Sequence, residues 1–162
     1  MTDKKLLRIL DEDRKLAMAR IAELEKLIQA LGPEFHVALT QSSESWHDNA
    51  PFDALRERQG VLVAELVSLK SALSHALTSV PHQPKDVVGI GSVVEAKILD
   101  GNEVKRIFVT GDWTMRTGSR ADWLAQPTII VSAQSPIARA MMGRKIGDEF
   151  TFRGKYIIQS ID

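Results

Sequence analysis

Leu7, Leu10, Arg14, Ala17, Ile21, Leu24, Ile28, Leu31, Phe35 and Ala38 form a ladder whose steps alternate three and four residues, with one polar rung. The ladder returns as Phe52, Leu55, Gln59, Leu62, Leu66, Leu69, Leu73, Ala76 and Val80, again with one polar rung. Such alternation keeps a single stripe of a helix facing a partner, and its mean period of 3.5 residues implies a left-handed supercoil. The connector between the two runs is too short to cross over. The two helices are therefore expected to fold back as an antiparallel coiled-coil hairpin. The plainer reading, two helices of an ordinary bundle, lacks a third helical seam anywhere in the chain.

Working outward, Thr2 or Asp3 can cap the first helix, and Arg14 on the seam reads as a snorkelling side chain. Gly32-Pro33 interrupts the run without breaking its phase, which predicts a kink at Pro33 and a helix end near Gln41. At ~1.5 Å per residue, an arm of about 35 residues reaches about 50 Å. An arm of that length is expected to project, since a small domain cannot bury it.

Composition sets the broad class. The chain has 162 residues, 44% hydrophobic and 26% charged, with a formal net charge of zero. The first 80 residues carry a net −2 and the remainder +2, so bulk charge gives no reason to expect direct nucleic-acid binding. With no cysteine there is no disulfide, thiolate nucleophile or cysteine-ligated zinc. The N-terminus reads as neither a signal peptide nor a membrane span, and the cytoplasm is the expected location.

The connector, Ser42-Ser43-Glu44-Ser45-Trp46-His47-Asp48-Asn49-Ala50-Pro51, is where the tip of a projecting hairpin would meet a partner. Asn49 or Asp48 suits an N-cap, and Pro51 falls in the first turn of the next helix, where its missing N–H costs nothing. Asp48 can thus be a capping residue. Alternatively, Glu44 and Asp48 can offer carboxylate oxygens to a magnesium ion held elsewhere, since Mg²⁺ commonly takes one or two protein carboxylates. Trp46 and His47 flank those acids, and Trp46 either folds onto the seam or contacts a partner.

Pro81-His82-Gln83-Pro84 marks a hinge, and the organisation expected is a hairpin over 1–80, a linker over 81–86 and a second domain over 87–162. Val87–Ile98 reads as a strand with a bulge or turn at Gly89 and Gly91, and Asp100-Gly101-Asn102 as a hairpin turn into a strand around 104–109. Residues 111–127 read as irregular. Thr128–Ser132 is expected to be a strand, 136–142 a short helix, and 150–152 and 155–161 a closing pair of strands. The fold class is α+β: a long helical hairpin, then a small antiparallel sheet with one helix.

Those residues also carry a resemblance. Ser135-Pro136-Ile137-Ala138-Arg139-Ala140-Met141-Met142-Gly143, followed by Ile146-Gly147-Asp148-Glu149, resembles the C-terminal signature of Gre-type transcript-cleavage factors. Val88–Val94 is similar to that family's domain start, and Pro33-Glu34 to a pair within its first helix. Asp48-Asn49-Ala50, Phe52, Arg56-Glu57 and Gln59-Gly60 resemble the segment after its coiled-coil tip. The resemblance implies an FKBP-like domain that docks on bacterial RNA polymerase through Ser135, Pro136, Ile137, Ala138, Met141 and Gly143. The coiled coil would then enter the secondary channel as part of a monomer, with indirect contact to nascent RNA and no membrane role. It further implies borrowed catalysis: no tightly bound cofactor, and tip carboxylates Glu44 and Asp48 helping to hold a magnesium at the polymerase active site for hydrolysis of backtracked RNA.

The tip departs from the family. Where the family carries its first acid this chain has Ser45; Asp48 matches the second acid, and Glu44 stands beside the vacated position. Residues 111–127 depart too, being rich in tryptophan and arginine. Three functions are therefore open: a cleavage-stimulating elongation factor, a Gre-fold channel regulator or inhibitor without cleavage stimulation, and an FKBP-like prolyl isomerase. The last needs Phe108, Trp113, Trp123, Phe150 and Tyr156 to converge on one pocket. Scattered histidines and the absence of a phosphate-binding glycine loop or a nucleophile motif argue against a self-contained enzyme.

Overall fold

Two helices come first. α1 spans Asp11–Gln41 and α2 spans Ala50–Ser74. The computed structural model describes residues 6–41, 49–77, 79–81, 83–118 and 127–162. Its chain divides into two compact units: residues 15–74, and residues 1–14 together with 75–162.

In the first unit the seam read from the sequence is the buried stripe. Ala17, Leu24, Leu31 and Ala38, seven residues apart, are buried on α1, with Ile21, Ile28 and Phe35 half-buried between them. On α2 only Leu69 is fully buried, while Phe52, Leu55, Gln59, Leu62, Leu66 and Leu73 are half-exposed. Glu25–Lys70 at 2.7 Å, Glu34–Arg58 at 3.6 Å and Phe35–Phe52 at 5.4 Å between ring centroids step backward along α2 as they advance along α1. The pairing is antiparallel, as expected. Pro33 lies inside α1 without ending it.

Both ends of the seam differ from the expectation. α1 starts at Asp11, so Leu7 and Leu10 are not helical; Thr2 and Asp3, read as caps, lie outside the described residues. Asp11, Glu12 and Asp13 in that turn complement the helix dipole. Leu7 instead forms a parallel bridge with Ala76, giving its carbonyl to Leu77 N–H at 2.8 Å and its own N–H to the His75 carbonyl at 2.7 Å. α2 stops at Ser74, leaving Ala76 and Val80 outside it. The expected boundary at residue 80 is thus shifted to 74, and residues 6–14 join the second unit. The physical reason is that heptad spacing marks apolar positions but not their partner. Leu10 finds its partners in the sheet.

That sheet has five strands: β1 Val93–Ile98, β2 Val104–Val109, β3 Ile129–Val131, β4 Glu149–Thr151 and β5 Lys155–Ile161, in spatial order β3-β2-β1-β5-β4. Three pairings are antiparallel, but β2 and β3 run parallel, correcting the expectation of a wholly antiparallel sheet. A parallel neighbour needs a long crossover, and residues 110–128 supply it. β1 begins at Val93, later than read; Val87 makes only a single bridge to Lys145, and Gly91, at φ +92°, turns the chain into the strand.

Strand alternation sends Val94, Ala96, Ile107, Val109, Phe150, Tyr156 and Ile158 to one face, where α3 (Pro136–Met141) contributes Ala138 and Met141. The other face carries a smaller cluster of Val93, Phe108 and Ile130, covered by Leu10. Each fully buried aliphatic side chain contributes roughly 1.5–3 kcal/mol, enough to hold a six-residue helix that would not persist alone.

Candidate functional site

At the head of the hairpin, Asn49 ties the two helices together. Its Oδ1 accepts from Phe52 N–H at 3.1 Å, capping α2, and its Nδ2 donates to the Ala38 carbonyl at 3.0 Å. The cap left open between Asp48 and Asn49 is therefore Asn49, with Pro51 in the first turn. Beside it, Pro33, Val37, Ala38, Pro51, Ala54 and Leu55 line an open groove of about 570 Å³ within the hairpin unit. Glu44, Ser45, Trp46, His47 and Asp48 lie outside the described residues. Among the described residues no group of three metal-ligating side chains forms a site. The donor type of Glu44 and Asp48, carboxylate oxygen, is the one magnesium prefers.

The docking motif is placed unevenly. Ser135 caps α3, its Oγ accepting from Ala138 N–H at 3.3 Å, and Pro136 opens the helix. Ala138 and Met141 are fully buried, and Ile137 packs partly against the same core. Ala138 and Met141 thus build the domain and cannot touch a partner, because their side chains fill the space between α3 and the sheet. The exposed members are Pro136, Arg139 and Gly143. Gly143, at φ +78°, ends the helix, and Ile146 beyond it is 57% exposed.

A third cluster was not visible in the sequence. The Arg8 guanidinium grips Asp112 through Nε (2.8 Å) and Nη2 (2.7 Å), and the Arg8 N–H reaches the same carboxylate at 2.9 Å. Asp112 N–H returns a bond to the Arg8 carbonyl at 2.7 Å, and Gln134 Nε2 donates to Asp112 Oδ1 at 2.6 Å. Burial pushes the Asp112 carboxyl up, but bonds from the Arg8 side chain, the Arg8 backbone and Gln134 more than offset it, bringing it to about 2. The neighbouring Gly111 has no room for a side chain, since a Cβ there would lie 2.0 Å from the Arg8 carbonyl oxygen. Nearby, Asp13 is wholly buried and accepts from Arg116 Nε and Nη2 (2.7 and 2.9 Å) and from the Thr114 hydroxyl at 2.6 Å. Arg14 donates to the Leu77 carbonyl, so the seam's polar rung is satisfied within this unit.

The described aromatic residues fall on both faces of the sheet. Phe150 and Tyr156 stack at 5.2 Å in the main core, Phe108 belongs to the cluster on the other face, Trp113 is half-exposed, and Trp123 lies outside the described residues. No described aromatic pocket supports the isomerase reading.

Residues 83–159 match the family model described as the C-terminal domain of the transcription elongation factors GreA and GreB. The transcription elongation factor GreA of Nitratidesulfovibrio vulgaris (strain Miyazaki F) is 35% identical over 130 residues, covering 78% of this chain and 75% of that protein. GreA of Pseudomonas aeruginosa is 29% identical over 143 residues, covering 85% and 84%. Among solved structures, the GreA factor homolog 1 of Thermus thermophilus aligns over 97% of this chain and 99% of its own, at 22% identity and a TM-score of 0.43.

Proposed function

Because the chain belongs to the GreA/GreB family of transcription elongation factors, we propose that it binds bacterial RNA polymerase, inserts its hairpin into the secondary channel and stimulates cleavage of backtracked RNA. The observation that carries this reading is the head of the hairpin. Asn49 locks α1 to α2 in the residue directly after Asp48, so the connector acids are attached to a fixed root. Asp48, with Glu44 beside the position where the family has its first acid, supplies carboxylate oxygens. A magnesium ion shared with the polymerase would supply the Lewis acid that activates a water. The exposed side of α3, Pro136 and Arg139, together with Ile146, is the docking surface. The protein acts as a cytoplasmic monomer on the polymerase.

Cleavage of a backtracked transcript over a magnesium titration tests this, with all variants matched for polymerase binding. Wild type is expected to stimulate weakly, and Asp48→Asn to lower stimulation at least tenfold, about 1.4 kcal/mol of barrier. Glu44→Gln is expected to matter less, and Ser45→Asp to strengthen cleavage by restoring the paired acids. No stimulation from either wild type or Ser45→Asp ends this reading.

The second reading, a Gre-fold channel regulator that does not stimulate cleavage, rests on Ser45, which removes one of the two acids the family's tip presents. Under it, Trp46→Ala alters transcription more than Asp48→Asn does.

A further inference from the structure

The ion pair at Arg8 does not end at Asp112. Gln134 donates one amide hydrogen to Asp112 Oδ1 at 2.6 Å, and its Oε1 accepts from Arg139 Nη2 at 2.9 Å, on the exposed side of α3. A second line runs beside the first. The Ser132 hydroxyl donates to the Asp112 carbonyl at 3.0 Å and accepts from Gln134 N–H at 3.1 Å, immediately before the cap residue Ser135. Ala133 N–H is bonded to the Gly111 carbonyl at 2.9 Å, so the two backbone segments are joined as well. Every link lies within the sheet unit.

An arginine, a carboxylate, an amide and a second arginine in series form a chain whose members polarise and orient one another. Arg8 fixes the Asp112 carboxylate in two directions. Asp112 then fixes which way the Gln134 amide faces, because only its NH₂ end can approach a carboxylate. With the NH₂ end committed, the carbonyl end is left to hold Arg139.

We infer that Arg8, Asp112 and Gln134 are positioning residues for the first turn of α3, a relay by which the N-terminal segment sets the placement of Arg139 on the polymerase-docking surface. The inference rests on the docking reading of α3 only for its last step. The first step concerns the free protein and is tested without polymerase.

The test uses the full-length chain with Arg8→Gln, Gln134→Ala and the double variant, all at or near the surface. Amide hydrogen exchange at Ala138 and Arg139, whose N–H groups bond to Ser135, is read beside exchange at Leu24 in the hairpin and the overall melting temperature. Each single variant is expected to speed exchange at Ala138 and Arg139 at least fivefold, with Leu24 unmoved. Gln134→Ala should leave the melting temperature unchanged, whereas Arg8→Gln lowers it because it strips the buried Asp112 carboxylate of its cation. The double variant is expected to add nothing further, since both cut one chain. Polymerase affinity is expected to fall about tenfold in each. Exchange rising at Leu24 as much as at Ala138 and Arg139, or a lowered melting temperature in Gln134→Ala, would assign these residues a structural role and overturn the relay, as would unchanged exchange at Ala138 and Arg139. Arg139→Glu separates the two readings. If it weakens binding while Arg8→Gln and Gln134→Ala do not, the relay does not govern docking and the inference falls. If Arg139→Glu itself leaves affinity unchanged, the docking reading of α3 fails, and the relay is judged on exchange alone.

Discussion

The hairpin unit and the sheet unit are held together in opposite ways. The hairpin repeats one solution: apolar residues at every third and fourth position, closed by exposed ion pairs such as Glu25–Lys70. Such pairs contribute little individually, and the stripe carries the stability. The sheet unit closes on singular contacts between segments far apart in sequence. Arg8 and Asp112 are separated by 104 residues, and Asp13 and Arg116 by 103. A repeat distributes its energy over many similar positions, whereas a singular buried pair concentrates it in one. Damage to the two units should therefore differ in size and in reach.

The largest effect is expected at Asp13. Its side chain is fully buried, and the Arg116 guanidinium is 13% exposed. Asp13→Ala leaves that cation with no carboxylate in a poorly hydrated site, a change that typically costs about 3–5 kcal/mol. Denaturant melts of the full chain should show that loss, with exchange at residues 111–116 rising far more than exchange at Leu62. Equal rises in both would mean the two units do not differ as described.

Next in size is the hairpin's own core. Leu24 is completely buried, so Leu24→Ala should cost about 3 kcal/mol, while half-exposed Leu62→Ala should cost nearer 1 kcal/mol. Helix content followed through urea melts gives both numbers. Equal costs would show that α1 and α2 share the seam evenly, against the asymmetry in their burial. Concentration-dependent melting would mean that the seams pair between chains.

This contrast also explains what could be read from the sequence. The 3,4 spacing from Ala17 to Ala38 and from Phe52 to Leu73 announces two helices because each residue's role follows from its neighbours. The strands at 104–109 and 155–161 and the helix opened by Ser135-Pro136 were legible for the same reason. Leu7 and Leu10 misled: their spacing continues the heptads, yet their partners belong to the sheet. Nothing local distinguishes Asp112 from any other acid in a loop, because its importance lies in Arg8, at the far end of the chain. Ala138 and Met141 were legible as members of a motif but not as core, since a six-residue helix is too short for periodicity to declare its buried side.

Acid should open the sheet unit's clasp. With its carboxyl at about 2, Asp112 ionises more readily in the folded protein than in an unfolded chain, where 3.8 is the ordinary value. A depressed carboxyl stabilises the fold above the unfolded value and stops doing so as pH falls through the folded one. The contribution is present above about pH 4 and lost between roughly pH 4 and 2, on the order of 2 kcal/mol for a side chain this buried. Unfolding free energies measured across that window should slope in wild type and flatten in Asp112→Asn. An equal slope in the variant would place the acid sensitivity elsewhere.

The smallest effect bears most directly on the hairpin head, where two jobs fall to one side chain. Asn49 accepts from Phe52 N–H and donates to the Ala38 carbonyl, so Asn49→Ala removes both the cap and the bridge between helices. Loss of a cap costs about 1 kcal/mol, and a single net hydrogen bond about as much again. Asn49→Asp separates the jobs: its carboxylate still caps α2 and favours the positive end of the helix dipole, but it has no hydrogen to give Ala38. Asn49→Asp is therefore expected to keep the helicity of α2 while speeding amide exchange at Phe35 and Ala38, whereas Asn49→Ala should lower both. If the connector acids act from a fixed root, Asn49→Asp should also reduce transcript cleavage without weakening polymerase binding, because what it removes is the tie between the helices. Cleavage that survives Asn49→Asp but not Asn49→Ala would show that capping alone supports the tip.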